Sequence, residues 1–152
     1  NVATARANGA EVTATAFPAA HWVVDASASY VDTRVLSAGL TGSMAQGSRL
    51  IRRPMHVITA GAGYRGRVTA DLRAAYTGRR SDVEFLYADP YSRPISLPAY
   101  TRLDLSAELP LTRAAALTLR VDNLADTKYR TVAGYDAPRR MILVGARAAF
   151  GR

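Results

Sequence analysis

Polar and apolar residues alternate along most of this chain, and the alternation has the period of a β-strand. In YTRLDLSAELPL, Thr101, Leu103, Leu105, Ala107 and Leu109 share one face, while Arg102, Asp104, Ser106 and Glu108 share the other. In the next run Leu117, Leu119 and Val121 oppose Thr118, Arg120 and Asp122. In the last, Ile142, Val144, Ala146, Ala148 and Phe150 oppose Leu143, Gly145 and Arg147. A period of two sends successive side chains to opposite sides of a sheet. Four earlier runs, 4–17, 21–33, 54–64 and 67–78, alternate in the same way, with Val12, Trp22, Ile58 and Leu72 on their apolar faces. Most runs have about 10 to 13 residues, beyond the ~5–6 typical of a soluble sheet and near the ~9–11 that carry a tilted strand across a bilayer.

The connections alternate as well. Short turns at Pro18-Ala19-Ala20, Arg65-Gly66 and Pro110–Arg113 exchange with long polar segments at about 34–53, 79–98 and 127–137. Short periplasmic turns and long extracellular loops are the habit of outer-membrane barrels. With the C-terminus taken as periplasmic, Phe17, Trp22, Tyr64 and Phe150 fall near the inner rim, and Tyr30, Tyr76, Tyr100 and Tyr129 near the outer one. Tryptophan and tyrosine gather at both interfaces of a bilayer because one end of each ring is apolar and the other wet. The pattern predicts an all-β fold: an antiparallel transmembrane β-barrel segment of seven long strands.

Composition sharpens this. Hydrophobic residues make up 49% and mean hydropathy is -0.05, with no run of the ~18 apolar residues that a membrane helix needs. The net charge of +8 comes almost wholly from arginine, since Lys128 is the only lysine. Arg67, Arg73, Arg102, Arg120 and Arg147 are spread over polar positions of four strands. A phosphate-tracking surface would cluster them; no nucleic acid is expected, and the arginines read as lining a wet interior. With no cysteine, disulfides, thiolate metal sites and a cysteine nucleophile are excluded.

Gly61-Ala62-Gly63-Tyr64-Arg65-Gly66 matches the G-x-G-x-x-G of dinucleotide-binding folds. That chemistry needs a helix to begin at the last glycine, with its amides facing a pyrophosphate. Arg67 to Thr77 alternates instead, so Gly61 and Gly63 read as small inward positions and Gly66 as a turn. His21 and His56 lack metal-ligand spacing, and Asp82, Glu84 and Asp89 read as solvated loop carboxylates. No catalytic constellation, metal site or cofactor is expected, and the chain does not read as an enzyme.

ALTLRVDNLADTKYRTVAGYDAPRRMILVGARAAF resembles the C-terminal end of the TonB-dependent outer-membrane receptors. The likeness rests on Asn123-Leu124-x-Asp126-x-x-Tyr129, the Gly134-Tyr135 loop, Arg139-Arg140 and the terminal-strand Phe150. Asn8-Gly9-Ala10-Glu11, Ser29-Tyr30-Val31-Asp32-Thr33-Arg34 and Arg52-Arg53-Pro54-Met55-His56 extend it along the chain. The spacing of these motifs and the Gly134-Tyr135 loop are most similar to the cobalamin transporter branch. The chain departs from the family at Ala125, usually aromatic, and at Gly151-Arg152, which follow the usual terminal aromatic.

The resemblance implies the C-terminal part (1–152) of a plugged barrel of about 22 strands, in the outer membrane of a Gram-negative bacterium. It implies active uptake of a large, scarce nutrient, cobalamin or a ferric siderophore. The implied partners are outer-membrane lipid, a plug domain of the same chain, TonB reached through the N-terminal region, and the barrel-assembly machinery that reads the strand ending at Phe150. In the long loops Tyr87, Tyr91, Arg93 and Tyr135 are the expected ligand contacts, since aromatic faces and a cation suit a corrin or ferric chelate. Two other readings stand beside it: a small free-standing barrel of eight strands with a structural or adhesion role, and a soluble dinucleotide-binding enzyme.

Overall fold

The computed structural model describes residues 2–38 and 44–149; Phe150, Gly151 and Arg152 lie outside them. Seven strands form one antiparallel sheet in simple up-and-down order: β1 (Val2–Ala16), β2 (Trp22–Ala38), β3 (His56–Arg65), β4 (Thr69–Thr77), β7 (Tyr100–Pro110), β8 (Ala115–Asp122) and β11 (Met141–Ala148). Two hairpins, β5 (Arg80–Phe85) with β6 (Ser92–Leu97) and β9 (Arg130–Val132) with β10 (Tyr135–Asp136), interrupt the order within two of the long connections. No helix occurs among the described residues, and the residues after Gly66 form β4. That removes the phosphate cradle and with it the dinucleotide reading.

Register turns the alternation of single strands into two continuous faces. Ala16, Val24, Ala62, Leu72, Leu105, Val121 and Ile142 lie side by side across all seven strands. A neighbouring row runs Ala14, Ala26, Ala60, Ala74 and Leu103. Among the described residues most of this face is uncovered: Val12 is 64% exposed, Ile142 62% and Val144 77%, although Val121 is buried. A water-soluble sheet would bury such a surface against a second layer. Here the core reduces to a few side chains, Val35, Leu97, Ala116 and Val121.

The opposite face is ionic. Asp25 and Arg73 form a pair at 3.3 Å although β3 runs between their strands. Gly61 makes that possible, because a Cβ there would stand 2.6 Å from Asp25 Oδ1. Gly63 clears the same kind of space beside Arg65 and Asp71. Arg102–Asp104, Arg120–Asp122 and Arg147–Glu108 complete the matched charges of this wall. Arg120 thus pairs with neighbouring Asp122, whereas Arg73 reaches Asp25 and leaves Asp71 to Arg65.

At the short-turn end Trp22 packs on Tyr64, with ring centroids 5.3 Å apart. His21, in a left-handed conformation (φ 67°), fastens the turn: its carbonyl accepts from the Arg65 amide and its Nδ1 lies 3.0 Å from the Arg65 carbonyl. At the other end Tyr30 meets His56 at 5.3 Å. Tyr100 differs from the belt expected there. It shares the face of Arg102 and Asp104, stacks on Tyr129 at 4.1 Å, and carries the Arg80 guanidinium over its ring. Both tyrosines serve loop packing instead of a lipid belt.

Candidate functional site

The long connections gather at one end of the sheet. Asn123 fixes the root of the third, spanning 123–140. It is 2% exposed and held at φ 54°, a left-handed position that asparagine tolerates better than most residues with a β-carbon. Its amide donates to Asp104 Oδ1 at 3.0 Å, its Nδ2 to the carbonyls of Thr127 and Pro138, and its Oδ1 accepts from the Thr127 amide at 2.9 Å. Leu124 N–H donates to the Leu103 carbonyl and the Thr127 hydroxyl to that of Thr101, so the loop is bolted to β7. Asp126 accepts from the Arg139 guanidinium and the Arg140 amide, and Tyr129 adds its ring to Tyr100. The Asn123, Asp126 and Tyr129 motif therefore builds the loop.

Arg139, and after it the Arg140 amide, hold the Asp126 carboxyl well below the usual carboxylate range. A carboxylate whose folded pKa is depressed contributes stability above its unfolded value, and that stability is lost as pH falls through the folded one. Order in 126–140 should therefore survive to well below about pH 4, while Arg139→Gln should move its loss up toward that value. Hydrogen exchange of the 127–135 amides across an acid titration checks this; an unmoved threshold would contradict the pairing.

The second connection carries the expected ligand contacts. Leu86 N–H donates to the Tyr91 carbonyl at 2.9 Å and closes the β5–β6 hairpin, which leaves Tyr87 and Tyr91 on its tip, 107% and 70% exposed. Tyr135, on β10, is 74% exposed. None of the three rings stacks on another aromatic among the described residues. Arg93 faces Glu84 across the hairpin and donates to it at 2.7 Å, so its charge is already matched. β6 packs on β9, which sets the two hairpins side by side.

The loop carboxylates divide. Asp82, expected in solvent, is fully buried. Burial alone would raise its pKa; the amides of Ala133 and Val83 and the Arg52 guanidinium outweigh that and hold it below its ordinary value. No local pattern announces this, because Ala133 stands 51 residues away. Asp89, by contrast, is exposed, and no cluster of metal-ligating side chains occurs among the described residues.

Residues 1–124 match the family model described as TonB dependent receptor-like, beta-barrel. The chain belongs to this family. TonB-dependent receptors are transporters and not enzymes, and their barrels lie in the outer membrane of Gram-negative bacteria, so the uncovered apolar face is the lipid face and the long-loop end is the outer end. The vitamin B12 transporter BtuB of Vibrio cholerae is 35% identical over 65 residues, 43% of this chain and 10% of that protein. The metal-pseudopaline receptor CntO of Pseudomonas aeruginosa is 35% identical over 106 residues, 66% of this chain and 14% of its own length. The crystal structure of the outer-membrane ferripyoverdine receptor of Pseudomonas aeruginosa matches with a TM-score of 0.75 at 19% identity, covering 95% of this chain and 19% of that one. The chain thus spans roughly a tenth to a seventh of the curated receptors it matches.

Proposed function

We propose that this chain forms one wall of a receptor that takes up a large metal-bearing nutrient across the outer membrane, with energy supplied through TonB. The observation that carries the reading is the two-faced sheet itself, apolar toward lipid and ionic toward a lumen, in a chain of this family. The matched receptors named above are those of vitamin B12, metal-pseudopaline and ferripyoverdine. Within that class, the resemblance of the Gly134-Tyr135 loop to the cobalamin branch supports a corrin, beside a relative that is a vitamin B12 transporter. The lateral edges of β1 and β11 have no strand partner among the described residues. Backbone groups left unpaired in lipid cost several kcal/mol each, so further strands of the same barrel are their partners and a plug fills the lumen. Residues 1–152 then form the C-terminal part of that barrel, and Phe150 belongs to the signal that the assembly machinery reads.

Ligand meets the outer loops through the faces of Tyr87, Tyr91 and Tyr135, with Arg93 beside them. Uptake of labelled cobalamin and of an iron-loaded chelate, by cells with and without the receptor, tests the function. Tyr87→Ala combined with Tyr91→Ala should weaken binding of whichever is taken up by about tenfold, the worth of two ring contacts. Uptake of neither compound would contradict the reading. Unchanged affinity in the double variant would move the site elsewhere.

A further inference from the structure

Asp82 takes no part in the membrane sheet, yet none of its side chain is exposed. Its Oδ1 accepts from Arg52 Nε at 2.9 Å and from the Val83 amide at 2.8 Å, and its Oδ2 from the Ala133 amide at 2.7 Å. The donors stand in three different loops: Arg52 between β2 and β3, Val83 between β4 and β7, Ala133 between β8 and β11. Two further bonds follow the same lines. The Arg52 amide donates to the Ser81 carbonyl at 2.7 Å, and the Arg80 guanidinium to the Arg130 carbonyl. Arg52 holds a left-handed φ of 59°, uncommon for a residue with a β-carbon, and there both its amide and its guanidinium reach the second loop.

A carboxylate removed from water is stable only where protein donors replace its hydration. Two of the three donors here come from other loops. Lifting either one away leaves a buried charge short of a partner, which costs more than the bond itself is worth when made.

We infer that Asp82 is a positioning residue of the outer face, a latch that joins the three outer loops into one rigid cap. The cap fixes the spacing at which the Tyr87–Tyr91 tip and the Tyr135 hairpin meet a ligand. That second clause rests on the uptake reading; the latch does not.

Distances between spin labels test it with no ligand present. Labels at Ala88→Cys and Thr131→Cys report the second loop against the third, and labels at Ala88→Cys and Arg53→Cys report the second against the first. Both are measured on the whole receptor in outer-membrane vesicles. With Asp82 in place each pair should give one narrow distance. Asp82→Asn should lose the narrow peak in both pairs. Arg52→Gln removes the first loop's guanidinium but leaves the Arg52 amide on the Ser81 carbonyl, and should broaden the first-to-second peak more than the second-to-third. Peaks unchanged in Asp82→Asn would overturn the latch. Equal loss of both in Arg52→Gln would overturn it too, since that marks general unfolding of the loops. Failure of the uptake assay would leave these distances as they are, so the two failures can be told apart.

Discussion

Asn123→Ala should release the third outer loop while the sheet beneath it stays folded. Three side-chain hydrogen bonds disappear, the one from the Thr127 amide among them, and alanine must hold the left-handed φ of 54°. Together these amount to about 3–5 kcal/mol of local stability. Asn123→Gly separates the two causes: glycine accepts the conformation freely but makes none of the bonds, so it should fall between wild type and alanine. Trypsin cleavage at Lys128 in intact cells, with hydrogen exchange across 124–140, reads the result. A loop equally protected in the alanine variant would show that the motif's asparagine does not hold it.

The second large effect divides two neighbouring residues of β4. Ala74 stands in the middle row of the lipid face, beside Ala60 and Leu103. Ala75 stands on the polar face, between Thr59 and Arg102. Ala74→Arg should cost about 2–4 kcal/mol, the penalty for a guanidinium near the bilayer midplane. Ala75→Arg meets water and one like charge already paired to Asp104, and should cost less than about 1 kcal/mol. Urea unfolding of the receptor in lipid bilayers compares them. Equal costs would mean that the faces are assigned wrongly; a reversed order would turn the sheet inside out.

Both experiments rest on features that differ in how plainly the chain announces them. The seven membrane strands were legible because lipid on one side and water on the other impose a strict period of two. The outer ends were less so. β1 begins at Val2 and β2 runs on to Ala38, because beyond the bilayer the two strands keep pairing and Val35 packs away from water. The β5–β6 hairpin hid in plain composition: six-residue strands holding Pro94 and four acidic or basic side chains look like loop. Tyr100 was legible, since the alternation sets it with Arg102; its nearness to the rim suggested lipid, and its parity contradicts that. The Asp25–Arg73 pair was out of reach, because it depends on the register of three strands. So was the burial of Asp82, whose partners arrive from distant loops and obey no local period.

Gly61 has a consequence beyond the one pair it admits. By giving up its own side chain it lets the charges on either side find each other across β3, while on β7 and β8 arginine and aspartate pair within a single strand. A charged group sliding down this wall finds each of these partners already taken, and must break a standing pair to be caught. The wall is therefore slippery to ions: crowded with charge, yet nearly without grip.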